Sequence, residues 1–254
     1  MTAPESSAGV LVTAGQVAAR TLRKFARTPQ LLVVATVQGV LFLIMFRYVF
    51  GGAIETGGVA YVDFVVPGFV VAALLFATTA AGVAEDAAEG LFDRLRSLPV
   101  PQLSVLAGRV LADTALTAWT VVTTVAVGVL VGFRVHADPV DALAALGLVL
   151  VYGFAFTWVF VAVGLVAGSA QAAQGLSLVF IPFSFVSSAY VPVATMPSPF
   201  RQFAEHQPLT PMVDAVRALV LDRPPDGAVV TSLVWSAGLA AVFAALSVVL
   251  YRRS

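Results

Sequence analysis

The chain has 254 residues, 59% of them hydrophobic and only 11% charged, with 14 basic side chains, 14 acidic ones and no cysteine. A soluble domain is about half apolar and about a quarter charged, and a mean hydropathy of +0.96 leaves too little polar surface to coat a water-soluble particle. The composition excludes a disordered chain, a basic nucleic-acid binder and disulfide, thiolate-metal or thiol-catalytic chemistry, and it specifies an integral membrane protein.

An apolar stretch of about 20 residues crosses a hydrocarbon core about 30 Å thick. A charge at its centre costs about 2.5–3.5 kcal/mol, so charge-free windows locate the crossings. Five such windows occur, at 28–46, 64–84, 114–133, 142–200 and 227–251. The fourth is long enough for two crossings, and Gly168, Ser169, Gln171, Gln174 and Gly175 read as the turn between them. The expected fold is all-α, with six transmembrane helices near 30–50, 64–84, 104–133, 141–166, 174–193 and 228–251. They form one membrane domain over 29–251, preceded by an N-terminal segment 1–28 and followed by a tail 252–254. Nine Lys and Arg residues flank the crossings on the side of the termini and five on the other, which places both termini in the cytoplasm of a multi-pass plasma-membrane protein.

Residues 10–27 suggest a short amphipathic helix, with Val10, Val17, Leu22 and Phe25 on one side and Arg20, Arg23, Lys24 and Arg27 around the rest, ended or turned by Pro29. Residues 1–9 contain Glu5 and no basic residue, unlike a cleavable signal. Between the second and third crossings runs a charged stretch from Glu85 to Pro101. Its acids, Glu85, Asp86, Glu89 and Asp93, precede Arg94 and Arg96, an order that suits the dipole of a single helix. Leu91, Leu95 and Leu98 give that helix an apolar face, and Pro99 stops it. The pattern leaves two readings open, a solvated connector or a rigid docking element for a cytoplasmic partner. At the start of the third crossing, Arg109 and Asp113 stand at i and i+4, either as an interfacial pair or as part of a cytoplasmic gate.

The fourth crossing carries Phe154, Phe156, Trp158 and Phe160, which either line a path or simply pack, and its small-residue spacing is too common here to be informative. Between the fifth and sixth crossings, prolines from Pro192 to Pro225 forbid a continuous helix in a segment that stays apolar. Residues 210–221 fit a short helix with Thr210 as N-cap and Pro211 in the first position, half-buried at the outer leaflet among broken helices.

Several chemistries lack their residues. A P-loop requires a lysine after a glycine-rich turn, but the sole lysine, Lys24, lies between Arg23 and Phe25. Ion-coupled carriers place ionisable groups near the midplane, whereas crossings four to six contain none. His136 and His206 are isolated in sequence, and neither a metal-hydrolase nor a nucleophile-elbow motif occurs.

The charged stretch and the broken outer segment, in this order within a six-span chain, resemble the permease subunits of ABC-2 type transporters, above all the daunorubicin-resistance permeases of actinobacteria. The residues carrying the resemblance are Tyr48-Val49-Phe50-Gly51-Gly52, Glu89-Gly90-Leu91-Phe92-Asp93-Arg94-Leu95, Ser97-Leu98-Pro99 and Gly108-Arg109. In the outer segment they are Pro192, Met196-Pro197, Pro208, Thr210-Pro211, Asp214 and Arg217-Ala218. The resemblance implies an elbow helix before the first span and a coupling helix after the second. Glu85, Asp86, Glu89, Gly90, Leu91, Phe92, Arg94 and Leu95 would meet a groove on a separate ATP-binding subunit. It further implies two such subunits, which carry the ATP and Mg while this chain holds no cofactor of its own, and a second copy or homologous permease within the lipid bilayer. The implied cargo is a hydrophobic or amphiphilic drug, antibiotic or lipid. Within the family the alternative cargo is a lipid-linked saccharide or envelope lipid; outside it, the alternatives are an ion-coupled carrier or a membrane enzyme.

Overall fold

The computed structural model describes residues 7–27, 29–54, 56, 58–76, 78–96 and 102–253. The described residues are helical with irregular connections and form no strand. Helix α1 (Ser7–Ala26) is followed at Pro29 by α2 (Pro29–Met45), which ends in one wide π turn over Phe46–Phe50. Next come α3 (Tyr61–Ala72), a 3₁₀ turn at Ala73–Phe76, α4 (Thr79–Ala88), a short α5 (Leu91–Arg96) and α6 (Gln102–Leu130). The chain continues through α7 (Pro139–Val166), α8 (Ala170–Ser177), α9 (Phe180–Phe185), α10 (Ser198–His206), α11 (Leu209–Val220) and α12 (Ala228–Arg253).

Four helical stretches among the described residues are long and apolar enough to cross a membrane: Tyr61–Ala88, Ser104–Leu130, Pro139–Val166 and Ala228–Arg252. Two shorter apolar stretches, Gly39–Phe50 and Ala170–Phe185, stand where the first and fifth crossings are expected. The expected continuous helix over 174–193 is not present. Its place is taken by α8, α9 and irregular backbone around 186–192, and the turn before it shrinks to Ala167–Ser169 because Gln171, Gln174 and Gly175 lie inside α8. The Ser169 hydroxyl caps α8 by accepting from the Ala172 N–H. The reverse holds for α7, which is uninterrupted from its Asp138 cap, with Pro139 in its first turn.

Helix α7 is the hub of the bundle, touching α4, α6, α8, α11 and α12. Its Phe156, Trp158 and Phe160 are buried packing residues, while Phe154 is partly exposed. The α3–α4 stretch is also interior, whereas α2, α6 and α12 carry long exposed apolar faces such as Val33, Val37 and Leu41 on α2 and Val230, Val234 and Val242 on α12. The α12 seam against α7 is polar at intervals: Ser232 shares a 2.6 Å hydrogen bond with the Tyr152 hydroxyl. Hydroxyls of Thr114, Thr117, Thr120 and Thr123 on α6 donate to carbonyls one turn back, which satisfies them without a partner helix.

The proline-rich segment is broken into helices as expected, but α11 is more deeply buried than the half-buried helix expected there. It packs on α3, α7 and α12, with Met212, Val213 and Ala215 fully enclosed. The helix begins at Leu209 with Pro208 as its cap, so Thr210 lies within the first turn and its hydroxyl does not serve as the N-cap. One side chain holds this arrangement. Arg217 donates from Nη2 to the Ser188 carbonyl at 2.7 Å, from Nε to the Phe64 carbonyl at 3.2 Å and from Nη1 to Asp214 at 3.0 Å. Its guanidinium lies 3.8 Å from the centre of the Phe64 ring. Burial pushes its pKa down to about 10, with Asp214 opposing the shift, so it stays cationic at neutral pH. Gln207 donates to the carbonyls of Phe183 and Val186, completing the satisfaction of non-helical backbone that has no water to turn to.

Replacing Arg217 by Met removes the donor of the Ser188 carbonyl, and an unsatisfied buried group costs about 1–3 kcal/mol. The detergent-solubilised variant should melt several degrees lower, with Arg217→Lys recovering only part because one ammonium cannot reach all three acceptors. An unchanged melting temperature in Arg217→Met would remove the anchoring role.

Candidate functional site

A cluster of acidic and basic side chains gathers where α1, the C-terminal turn of α4 and the first turns of α6 meet. The acids Glu85, Asp86 and Glu89 close α4 rather than open a new helix: α4 ends at Ala88, Glu89 caps it, and Gly90 adopts a left-handed φ of +68° before α5 starts at Leu91. The single helix expected from Glu85 onward is therefore two helices, split where only glycine turns without strain. This reverses the electrostatics, because the carboxylates now face the negative end of the α4 dipole and need cations nearby.

Those cations come from two other helices. Arg109 on α6 donates from Nη1 to Asp86 at 2.6 Å and from Nε to Asp113 at 2.9 Å, all three side chains being under 8% exposed. The Thr79 hydroxyl bonds Asp113 from the start of α4. Gly82 leaves room for the guanidinium, because a Cβ there would collide with Arg109 Nη2. Two carboxylates around one guanidinium leave a net negative charge in a dry site, and α1 answers it. Arg20 approaches Asp86 at 3.5 Å and Lys24 lies 4.0 Å from Asp86 and 2.8 Å from Glu85. The Lys24–Glu85 pair is solvent-exposed and contributes about 0–1 kcal/mol at most, whereas removing one partner of a buried pair costs about 3–5 kcal/mol.

Helix α1 reaches this position by close packing on α6. A Cβ on Gly108 would meet the Ala14 carbonyl and Val17, so the two backbones touch there. The face turned inward carries Ala14 and Thr21, while Leu22, expected on the apolar side, is partly exposed and the Val10 side chain is outside the described residues.

The eight residues expected to form one coupling surface thus divide. Glu85, Glu89 and Arg94 are exposed, and Gly90 and Leu91 are half-buried. Asp86 is turned into the α1–α4–α6 junction. Phe92 is buried, its ring edge-on to Tyr251 of α12 at 5.2 Å, within an apolar cluster of Val83, Val105, Leu106, Val110, Trp158 and Val161. The Leu95 side chain, together with Ser97, Leu98, Pro99 and Pro101, lies outside the described residues. Arg109 and Asp113, expected as a separate pair or gate, belong to the same cluster as Asp86. Sequence reasoning missed Arg20, Lys24, Thr79 and Gly82 as members. The available signal was the run Arg20, Arg23, Lys24 and Arg27 on the first helix, opposite in sign to the acids Glu85, Asp86 and Glu89.

At the opposite end, Asp63 accepts the Arg134 N–H at 2.9 Å and stands 3.9 Å from His136, while the His136 N–H donates to the Val220 carbonyl. His206 bonds the Gln202 carbonyl one turn back. Among the described residues no group of three or more His, Asp or Glu side chains is placed to hold a metal.

Gly90 has open space beyond its Cα, so Gly90→Ala tests the backbone alone. A left-handed alanine costs about 1–2 kcal/mol; the variant should melt lower and be cut faster by protease near residue 90, with Gly90→Asn intermediate. Equal stability of the Gly90→Ala variant and the unmodified chain would mean the turn is not held left-handed.

Comparison with known proteins agrees with this architecture. The family model of the ABC-2 type transporter matches residues 14–221. The chain is 34% identical over 236 residues to the daunorubicin resistance ABC transporter permease protein DrrB1 of Streptomyces coeruleorubidus, covering 92% of this chain and 83% of that protein. It is 27% identical over 240 residues to the "Probable doxorubicin resistance ABC transporter permease protein DrrC" of Mycobacterium tuberculosis (strain CDC 1551 / Oshkosh), covering 92% and 86%. The same values hold for the protein of that name in strain ATCC 25618 / H37Rv. With a family match spanning both the charged junction and the broken outer helices, the chain belongs to the ABC-2 type transporter family.

Proposed function

We propose that this chain is the membrane-spanning subunit of an exporter driven by ATP hydrolysed on separate subunits, and that its cargo is a hydrophobic or amphiphilic drug-like molecule. The observation that carries the reading is the α4–α5 elbow: an acidic, exposed rim of Glu85 and Glu89 with Arg94 just beyond it, mounted on a buried and charge-locked base. A knob built this way receives a push from a docked protein and passes it into the spans as rigid-body motion. The cargo class follows the three relatives, all of which are named for resistance to daunorubicin or doxorubicin.

In this reading the chain crosses the plasma membrane six times, with the shorter Gly39–Phe50 and Ala170–Phe185 stretches contributing to the first and fifth crossings. Both termini and the α4–α5 elbow face the cytoplasm, consistent with α1 and the end of α12 meeting that elbow from the same side. The domain runs over 29–251, after an elbow segment 1–28. Two ATP-binding subunits dock on a pair of permeases, this chain with a second copy or a homologue, and ATP and Mg reside on the docked subunits. The chain itself is not the hydrolase: its one lysine, Lys24, lies on α1 paired to Glu85 and outside any glycine-rich turn.

The test is co-expression with a candidate ATP-binding subunit from the same genome. Because Phe92 supports the fold from within, the informative variant replaces only the exposed Glu85, Glu89 and Arg94 by Ala. Stoichiometric co-purification should be lost while the permease keeps its melting temperature. In vesicles holding the intact complex, daunorubicin should move only when ATP is supplied. A complex that survives the triple replacement, or movement driven by a proton gradient without ATP, would sink the reading.

A further inference from the structure

We infer that Arg109 is a positioning residue that makes α1, α4 and α6 move as one body when the α4–α5 elbow is pushed. The inference rests on the docking reading above and goes beyond it, because a docking surface on α4 and α5 by itself says nothing of which helices follow. Three observations carry it. First, the guanidinium spans two helices, bonded to Asp86 of α4 at 2.6 Å and to Asp113 of its own α6 at 2.9 Å. Second, α1 is held to the same point by Arg20 and Lys24 and to α6 by the backbone contact at Gly108. Third, two of the three helices end at breaks: the 3₁₀ turn at Ala73–Phe76 separates α4 from the outer part of its span, and α1 ends at Ala26 before α2 begins at Pro29, while α6 runs unbroken to Leu130 and carries the motion outward.

The chemistry explains why a charge is used where apolar packing would hold the helices together. Apolar side chains slide past one another with little change in energy, because the hydrophobic effect has no direction. A buried guanidinium between two carboxylates cannot slide, since displacement strands charge in a dry site. The cluster therefore works as a stiff joint. Motion entering at Glu85, Glu89 or Arg94 appears together on α1 and α6, and the α3–α4 span bends at its 3₁₀ turn. This assigns Arg109 and Asp113 to transmission rather than to a gate.

The absence of cysteine makes the test direct. Spin labels at Ala88→Cys on α4 and Leu111→Cys on α6, both exposed positions, report the distance across the joint in the complex with its ATP-binding subunit. With Arg109 present, that distance should be the same in the ATP-bound and nucleotide-free complex. In Arg109→Gln the complex should still assemble and hydrolyse ATP. The distance should then change or broaden on ATP binding, and transport in the vesicle assay described above should fall about tenfold, a coupling loss of ordinary allosteric size. Arg109→Lys, which keeps the charge, should restore transport at least in part and hold the distance fixed. Should Arg109→Gln give no folded complex, Asp86→Asn removes one arm of the bridge and is read by the same two measurements with the same expectation. Transport within about twofold of the unmodified complex, or lost transport with the α4–α6 distance still fixed, overturns the inference. Failure of the unmodified chain to retain an ATP-binding subunit is a different result, overturning the docking reading before any variant is made.

Discussion

Burying a guanidinium between two carboxylates constrains everything at one end of this bundle. Asp86 belongs to the C-terminal turn of α4, where helix dipole and burial both work against negative charge, and Asp113 to α6, where burial alone does. Arg109 answers part of that charge, Arg20 and Lys24 answer the rest, and the first helix is thereby pinned across the ends of α4 and α6. Gly82 and Gly108 are the steric conditions of this arrangement, one clearing space for the guanidinium and the other letting α1 and α6 touch.

The other end of the molecule solves a different problem with a similar device. The chain leaves helical geometry at the end of α9, before the proline-rich segment, so carbonyls at 183, 186 and 188 are left facing the interior. Gln207 and Arg217, projecting from the broken helices themselves, supply the donors. Long donor side chains thus stabilise irregular backbone at one end and bind charged helix termini at the other. The apolar α7 stands between them as the common packing surface.

Much of this was legible in the residues. Asp138-Pro139 marks the start of α7, the prolines from Pro192 onward mark broken helices, and the charged stretch after the second crossing marks the elbow. The elbow's internal form was not legible. A run of acids followed by arginines fits one helix with a favourable dipole as well as two helices split at Gly90, and only the conformation of Gly90 distinguishes them. The same limit applies to the fifth crossing, where Leu176 to Ile181 satisfy an apolar count while the backbone breaks between α8 and α9.

The membrane solvent, the positions of the apolar stretches and the family are readable from the residues alone, because these depend on local composition and on motif order along the chain. Tertiary structure decided which of the elbow residues are exposed and which are buried. Asp86 and Phe92 turn inward although they stand among Glu85, Glu89 and Arg94, which do not. It also decided that Arg109 belongs with Asp86, 23 positions away, and that Arg217 belongs with Ser188 and Phe64. These pairings arise where helices distant in sequence enclose a dry volume, and a charge there takes whichever partner the packing brings within reach.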